Sequence, residues 1–479
     1  MDISSYFFVA LIVVYFVVAL KYFEEAVLAL PLFFPLYLFK TQFAGIPFTL
    51  VECLIYVAFF AFALRWFGSL FKKNKRSFAI AGFFKNELFL PLLLFTVAAV
   101  IGVAVTADRT LMVDGVTPFF GRKIALGILK GWIIAPILML IMFYKVVQKQ
   151  KQVLKLLNYY TSSAVFISLQ AFFQVVTGGY NTPDARASGP FESANYLALY
   201  ITPAILYVAI RVKESLFHVV HLEKYTLWKM PFRRGKVPLE HPENFFFIGS
   251  FLILLLALLF SKSYAAMIAL LVAAVFYFGL EYLEYHNRKE IKKFPWKLAI
   301  FGLIFTASVL FTVFLIDPGK WQNVLQLQLR NSSSVRVEVY TISFNLVKDH
   351  WLTGIGLGQF PLYYQLNAVN YLGHVPFEWN MLHPHNLYVA IWLNMGLAGV
   401  ISFAWILYIL VKKSWPHFRT FAFHQFYETP KLRIAGFSML LIVLVHGFLD
   451  TPFFKNDLAL IFWLIAAIIL LPTGEKKNN

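Results

Sequence analysis

The sequence contains a single cysteine, Cys53, in 479 residues, and charged residues make up only 14% of the chain. One cysteine excludes an internal disulfide and any cysteine-rich metal site. The chain is instead 60% apolar, with many runs of about 20 apolar residues, the length that a bilayer core requires. The sequence therefore predicts a polytopic membrane protein.

Acidic residues are also few, 24 against 42 basic ones, which gives a net charge of +18. Such a charge can indicate a nucleic-acid partner. Here, however, the basic residues cluster in short segments between apolar runs, at 72–76, 145–155, 233–236, 288–293 and 412–419. Short basic loops mark the cytoplasmic side and attract anionic lipid heads. We therefore expect membrane lipids, and no nucleic acid, as partners.

The apolar runs predict an all-α fold with about 12–13 transmembrane helices. The first run, "SYFFVALIVVYFVVAL", has no basic segment before it and no small-residue cleavage site after it, so we expect a retained span. The predicted spans lie near 5–20, 25–40, 48–66, 88–106, 124–144, 159–177, 196–212, 244–260, 264–280, 298–316, 387–411, 434–449 and 458–472. Thirteen spans place the N-terminus outside, unless one of the first two segments is tilted or fails to cross.

Basic loops on the inside place alternate loops outside and the C-terminal tail in the cytoplasm. The outside loops are then 107–123, 178–195, 261–263, 317–386 and 450–457. The long loop 317–386 precedes the third-last helix, and long loops without a function are uncommon. Its stretch "SVRVEVYTISFNLVKDHW" has apolar residues at helical intervals and predicts an amphipathic helix, and "GIGLGQF" predicts a turn. We expect one membrane domain over 1–479, with 317–386 as its partly helical external loop.

The polar residues that could carry chemistry all fall on the predicted outer side. They are Arg186, Asn195, Lys262, Arg330, Arg336, His383, His385, Asn386 and Asp450. Outward arginines run against the positive-inside bias. Each residue alone is as consistent with a solvated loop as with a site. Together they indicate an anion site, because planar guanidinium groups bind phosphate in bidentate fashion.

Three interpretations compete for the segment "HPHN". It can cap the following helix through Asn386 or His385. It can contribute metal ligands together with His374 and Glu378, although the spacing matches no metal signature, and we expect no metal. It can supply a general base, because a neutral imidazole has a pKa near working pH, and Asp450 is a candidate to orient it.

Three further features are predicted from local sequence. Lys130 lies within an apolar run, where an ionisable residue is either functional or extends toward an interface. Gly396 and Gly399 predict close helix packing. Pro31 and Pro35 predict a bent or broken helix near their positions.

The stretch "HPHNLYVAIWLNMGLAG" resembles the signature of the O-antigen ligase family, in which a histidine is followed by Asn, Ser or Gln, then nine residues, then glycine. His385, Asn386 and Gly396 match this spacing. Three other stretches are similar to the family's remaining motifs, namely "SSSVRVEVYTISFNLVKDHWLTGIGLGQF", "RASGPFESANYLALY" and "VHGFLDTPFFKNDLALIFW". The resemblance covers roughly residues 30–470.

The resemblance implies a glycosyltransferase of the bacterial inner membrane that acts at the outer face without a cofactor or metal. The donor would be a glycan on undecaprenyl diphosphate, and the acceptor a hydroxyl on lipid A-core, on another glycan or on a protein. Arg186 and Arg336 would bind the diphosphate, His385 would take the acceptor proton, and Asp450 would orient the imidazole. The neighbouring substrate contacts would be Asn195, Lys262, Arg330, His383 and Asn386.

One departure concerns the "SKSYAA" turn, where family members often carry Ser-Arg. Here Tyr264 follows Ser263, and Lys262 is the nearest cation, which supplies charge but not a bidentate fork. Ligase, polymerase and protein O-oligosaccharyltransferase share these motifs, and the match around His385 favours the ligase. A lipid-glycan transporter would instead place polar residues near the membrane midplane. A scaffold gives no reason for outward arginines beside a histidine.

Overall fold

The computed structural model describes residues 3–43, 45–70, 86–107, 111–113, 117–119, 121–182, 184–226, 242–287, 332–423 and 428–470. The predicted span at 298–316, Arg330 and the C-terminal tail lie outside the described residues.

Helices dominate the described chain. In order they are α1 (Ile3–Lys21), α2 (Phe23–Leu28), α3 (Leu50–Leu70), α4 (Phe89–Val105), α5 (Arg122–Ile128), α6 (Ala135–Val146), α7 (Gln150–Thr177), α8 (Ala194–Thr226), α9 (Pro242–Ser261), α10 (Tyr264–Asn287), α11 (Ser332–Asp349), α12 (Phe360–Leu372), α13 (Leu387–Phe423), α14 (Glu428–His446) and α15 (Asn456–Leu470). Within the described residues, six helical segments are long and apolar enough to cross a membrane. The chain is therefore an all-α polytopic membrane protein, as predicted.

Two segments interrupt the regular helices. A 3-10 helix, Leu30–Leu38, follows α2 and contains Pro31 and Pro35. Proline lacks the N–H that an α-helix needs, so the predicted span near 25–40 forms no continuous helix of spanning length. The prediction of a broken helix is confirmed. A π-helical turn, Leu129–Ile134, joins α5 to α6.

Two short hairpins, which the sequence did not suggest, complete the secondary structure. In the first, β1 (Lys40–Phe43) pairs antiparallel with β2 (Ile46–Thr49), with Lys40 opposite Thr49. In the second, β3 (Leu111–Val113) pairs with β4 (Thr117–Phe119).

Helix α15 lies at the centre of the bundle. Its residues 456–469 are all buried, and it packs against α6, α13 and α14. A helix that is apolar on every side satisfies its surface only when other helices surround it. The loop that precedes α15 is thereby held in the middle of one end of the bundle.

Helices α11 and α12 form a cap beside α13. The amphipathic helix predicted within 317–386 is confirmed as α11, and Gly354, Gly356 and Gly358 make the predicted turn with positive φ. Val339 and Ile342 of α11 share an apolar cluster with Tyr364 of α12 and with residues of α13. Apolar burial therefore fixes the cap on the bundle.

Backbone contacts bring most of the predicted outside loops to the same end of the bundle. The amide of Leu357 donates to the Gly102 carbonyl at 3.3 Å, and that of Ala187 donates to Phe260 at 3.2 Å. The amide of Leu387 donates to the Gly447 carbonyl at 2.7 Å. Residues far apart in sequence thus converge at one end, and which face of the membrane this end meets stays a prediction.

Candidate functional site

His383, His385 and Asp450 form a compact group at this end. The two histidines precede α13, and Asp450 lies in the turn between α14 and the centre helix α15. The Nδ1 atom of His385 is 3.7 Å from Oδ1 of Asp450, and Nε2 of His383 is 4.0 Å from the same oxygen. The imidazole rings meet edge to face with centroids 4.4 Å apart. Two bases and one acid therefore share a single small volume.

The backbone of His385 is fixed from two sides. Its φ is +49°, a left-handed conformation that non-glycine residues rarely adopt. The hydroxyl of Tyr340, on α11, lies 3.0 Å from the His385 carbonyl oxygen and 2.8 Å from the Phe448 carbonyl oxygen and shares its single proton between them. Tyr340 thereby joins the cap, the histidine segment and the Asp450 turn, and it was not identified from the sequence.

Asn386 caps α13. Its side-chain oxygen accepts hydrogen bonds from the amides of Tyr388 at 3.0 Å and Val389 at 3.1 Å, as an N-cap residue does. Its Nδ2 donates to the Phe448 carbonyl at 3.3 Å. Both ends of this amide are therefore engaged in holding the histidine segment against the Asp450 turn.

Burial and neighbouring charges give Asp450 and His383 different protonation states. Burial, with only 2% of Asp450 exposed, raises the pKa of this carboxyl, but the imidazoles of His385, His383 and His446 around it outweigh burial and hold the pKa below its ordinary value. Burial and the adjacent His385 lower the pKa of His383 to about 4. At neutral pH, Asp450 is therefore a carboxylate and His383 is a neutral imidazole.

Arg336 lies on the cap side of this group. It sits one helical turn before Tyr340 on α11, and it acts electrostatically on both Tyr340 and His446, as Asp450 does. His446, at the end of α14, is fully buried, and neither ring nitrogen has a hydrogen-bond partner among the described residues. His446 was not identified from the sequence. It adds a further imidazole that feels both the Arg336 and the Asp450 charge.

Arg186 lies on the other side, with its guanidinium group held in a fixed orientation. Its Nε donates to the Ser261 carbonyl at 2.7 Å and its Nη2 to Oδ1 of Asn195 at 2.8 Å. Nη1 lies 3.3 Å from Asp184. Arg186 and Asn195, which the sequence placed separately among the substrate contacts, therefore contact each other directly. Lys262, which is exposed, follows Ser261 in the same turn.

Two aromatic contacts connect the Arg186 segment to the histidines. Tyr196 follows Asn195, and its ring centroid is 6.1 Å from that of His383. The ammonium group of Lys455 lies 3.5 Å from the centroid of the same tyrosine ring. Lys455 was not identified from the sequence, although it lies in the same predicted outside loop as Asp450.

Backbone strain coincides with the site. Within the described residues, the non-glycine residues with positive φ are Ala185, Lys262 and His385. One is a candidate base, one is a candidate cation, and one precedes Arg186. Such conformations persist only where the surrounding structure enforces them, and they cluster at functional positions.

Other sequence candidates lie elsewhere. Lys130 forms an ion pair with the buried Glu52 and lies 3.9 Å from the centroid of the Phe48 ring, so its charge is neutralised within the protein. His374 lies 3.8 Å from Glu338 rather than beside the other histidines. Neither residue joins the group around Asp450.

A metal ion has one candidate site in the described part of the chain. His383, His385 and Asp450 each offer a ligand atom, and these atoms lie within 4.8 Å of one another. Three protein ligands with an open fourth position are the pattern of a catalytic zinc site. The same three groups also form a base, its carboxylate partner and a neutral neighbour, so geometry alone permits both interpretations.

Comparison with known families gives one match. Residues 249–404 match the family model described as O-antigen ligase. The matched stretch contains most of α9, all of α10, the cap and the first part of α13, and therefore Lys262, Arg336, His383 and His385. No curated protein matches the chain.

Proposed function

We propose that this member of the O-antigen ligase superfamily transfers a glycan from an undecaprenyl-diphosphate carrier to an acceptor hydroxyl, first of all on lipid A-core. We place the reaction at the outer face of the bacterial inner membrane, with the C-terminus in the cytoplasm. The observation that carries the proposal is the pair of His385 and Asp450, 3.7 Å apart, with Arg336 on one side and Arg186 on the other.

His385 acts as the general base. Its Nδ1 faces the Asp450 carboxylate, which leaves Nε2 for the acceptor hydroxyl. As His385 takes the proton, the buried carboxylate stabilises the imidazolium that forms. Distances of this kind shorten when substrate binds.

The donor supplies its own leaving group. The acceptor oxygen forms a bond to the anomeric carbon while the bond from this carbon to the diphosphate oxygen breaks. The departing diphosphate keeps the electron pair, and the acceptor proton passes to His385. A single displacement of this kind inverts the anomeric configuration. Arg186 and Arg336 stabilise the charge that develops on the diphosphate.

The neighbouring residues hold this arrangement or contact the sugar. Asn195 orients Arg186 through their 2.8 Å hydrogen bond, and Asn386 positions the histidine segment through its cap. His383 is neutral at working pH, and it accepts a hydrogen bond from the substrate or donates one to it. Lys262 adds positive charge beside Arg186, and Arg330 belongs to the same proposed set of cations.

The His385→Ala variant tests the proposal. With the full chain purified in lipid nanodiscs and given a lipid-diphosphate glycan, we expect transfer to fall by about 10²–10⁴-fold, the contribution of a positioned base. His374→Ala, an exposed histidine in the same cap, is the matched control and should transfer normally. Normal transfer by His385→Ala would remove His385 as the base. Supplying lipid A-core, oligosaccharide or protein acceptors in parallel distinguishes ligase, polymerase and protein-glycosylating activity.

A transporter of lipid-linked glycans predicts a different result. It would need polar groups near the membrane midplane, whereas Lys130 is already neutralised by Glu52. Substrate-dependent flux of the lipid-linked glycan without formation of a glycosidic bond would favour transport.

A further inference from the structure

Lys455 occupies a cage of aromatic rings beside the histidine group. Its ammonium nitrogen lies 3.5 Å from the ring centroid of Tyr196, 4.8 Å from that of Phe191 and 5.0 Å from that of Tyr37. The three rings come from α8, the segment before it and the 3-10 helix. Ring faces attract a cation and hold it in a defined position.

The cage leaves the hydrogen-bonding capacity of this ammonium group unused. Among the described residues, no carboxylate lies within ion-pair distance of Nζ, and no acceptor receives a hydrogen bond from it. An ammonium group has three donors, and a buried charge without a hydrogen-bonded partner is costly. Lys455 is half-buried, and an anionic ligand at this position would supply the acceptors that the ammonium group lacks.

The location of Lys455 connects it with the proposed reaction. It follows Asp450 in the loop before α15, and the Tyr196 ring beneath it lies 6.1 Å from that of His383. Asn195, the neighbour of Tyr196, holds Arg186. Tyr196 therefore places Lys455 close to both the Arg186 segment and His383, beside the position where the donor's diphosphate would lie.

We propose that Lys455 is a further anion-binding residue of this site and donates hydrogen bonds to a phosphate oxygen of the lipid-diphosphate donor. The inference rests on the proposed function. The rings of Tyr37, Phe191 and Tyr196 keep the ammonium group in place and exclude water from one side of it, so its donors point to the ligand without reorganisation.

A binding measurement tests this assignment directly. Farnesyl diphosphate is the probe, titrated into the full chain in nanodiscs of neutral lipid. We expect Lys455→Met to weaken binding by about ten-fold or more, because a charge-assisted hydrogen bond is lost. Lys455→Arg should retain binding, and Lys412→Met, an exposed lysine paired with Glu87, is the matched control.

The outcomes separate this inference from the proposed function. Equal affinity of wild type and Lys455→Met, with transfer still lost in His385→Ala, overturns the role of Lys455 alone. Failure of the wild type both to bind the probe and to transfer glycan overturns the proposed function. Farnesol and vesicles of anionic lipid serve as further probes, and binding of the vesicles with the same dependence on Lys455 would assign the residue to lipid headgroups and overturn the donor assignment.

The pH dependence of probe binding is a second test. It uses the wild-type protein, so it does not depend on a destabilising substitution. Burial lowers the pKa of Lys455 to about 8, although Asp457 and Glu192 oppose the shift. The charged or titratable groups that face or influence the amine are Tyr37, Lys40, Glu192, Tyr196, His383, Asp450 and Asp457. Above its pKa the amine is neutral, so wild-type binding should weaken between about pH 7 and about pH 9.5. Lys455→Arg, always charged, should show a flat profile, and parallel profiles would contradict the assignment.

Discussion

At the scale of residues, His385 and His383 differ in what holds them. The carbonyl of His385 accepts a hydrogen bond from Tyr340, its backbone is strained, and its Nδ1 faces Asp450. His383 packs against Tyr196 and is neutral at working pH. Sequence spacing already favoured His385 over His383. It could not identify Tyr340, His446 or Lys455, since their roles depend on contacts between helices distant in the chain.

Arg336 allows a test of bidentate phosphate binding. Arg336→Lys keeps the charge but removes the planar fork, so we expect transfer to fall by roughly ten-fold to a hundred-fold, the cost of one charge-assisted hydrogen bond. The measurement is the initial rate of glycan transfer in nanodiscs. Arg211→Lys, in the part of α8 remote from the site and paired with Glu214, is the control. Full activity of Arg336→Lys would argue against a bidentate contact.

At the scale of elements, α13 shows why the glycine in the histidine motif is needed. Gly396 has a φ of +62°, and α13 is kinked there. A Cβ atom at this position would overlap the backbone of Leu352 and Thr353, and the amide of Leu397 donates to the Leu352 carbonyl at 3.1 Å. The sequence predicted close helix packing for Gly396. The close contact is instead with the turn between α11 and α12, so the absence of a side chain at Gly396 lets the cap pack directly against α13.

Gly396→Ala should therefore destabilise the protein. The alanine would have to adopt a backbone conformation (φ 62°, ψ −164°) that is essentially restricted to glycine, at a cost of about 1–3 kcal/mol, and would also overlap the Leu352 backbone. We expect a lower midpoint of thermal unfolding in detergent and reduced transfer, because the cap carries Arg336 and Tyr340. Gly279→Ala, in α10 with open space around the added Cβ, should leave both measurements unchanged or slightly raise stability. Equal stability of the two variants would show that the contact between the cap and α13 does not require a glycine at position 396.

The ion pair between α3 and the π-helical turn is a second element-scale feature. Glu52 is 2% exposed and pairs with Lys130, and Asn456 of α15 donates to the same carboxylate. The pair thus joins α3 and the π-helical turn to each other and, through Asn456, to the centre helix α15.

Glu52→Gln should cost about 3–5 kcal/mol of stability, because it leaves Lys130 buried without its counter-charge. Denaturant unfolding in detergent measures this loss. The double variant Glu52→Gln/Lys130→Met should recover part of it, since no charge then remains unpaired. Glu87→Gln, which removes an exposed carboxylate, is the control. If Glu52→Gln were as stable as wild type, water rather than Glu52 would be compensating the charge of Lys130.

At the scale of the whole molecule, either the arginines or a bound metal ion would stabilise the charge on the departing diphosphate. If the arginines supply that charge, chelation with EDTA should leave the rate of transfer unchanged within about two-fold, since no ligand of the reaction is removed. The measurement compares chelated and untreated protein in nanodiscs. Loss of transfer on chelation and recovery on adding zinc would instead assign His383, His385 and Asp450 to a metal site.

The sequence by itself determined the class of the molecule and the chemical character of its end loops. Long apolar runs leave a chain no alternative to membrane helices, and arginines and a histidine in predicted outside loops are recognisable from residue type and position alone. The tertiary structure decided which of these residues meet. Asp450 reaches the histidines because the wholly buried helix α15 fixes its loop at the centre, and Lys455 acquires its cage from three separate segments. Such contacts depend on the packing of helices distant in the chain, which periodicity does not encode.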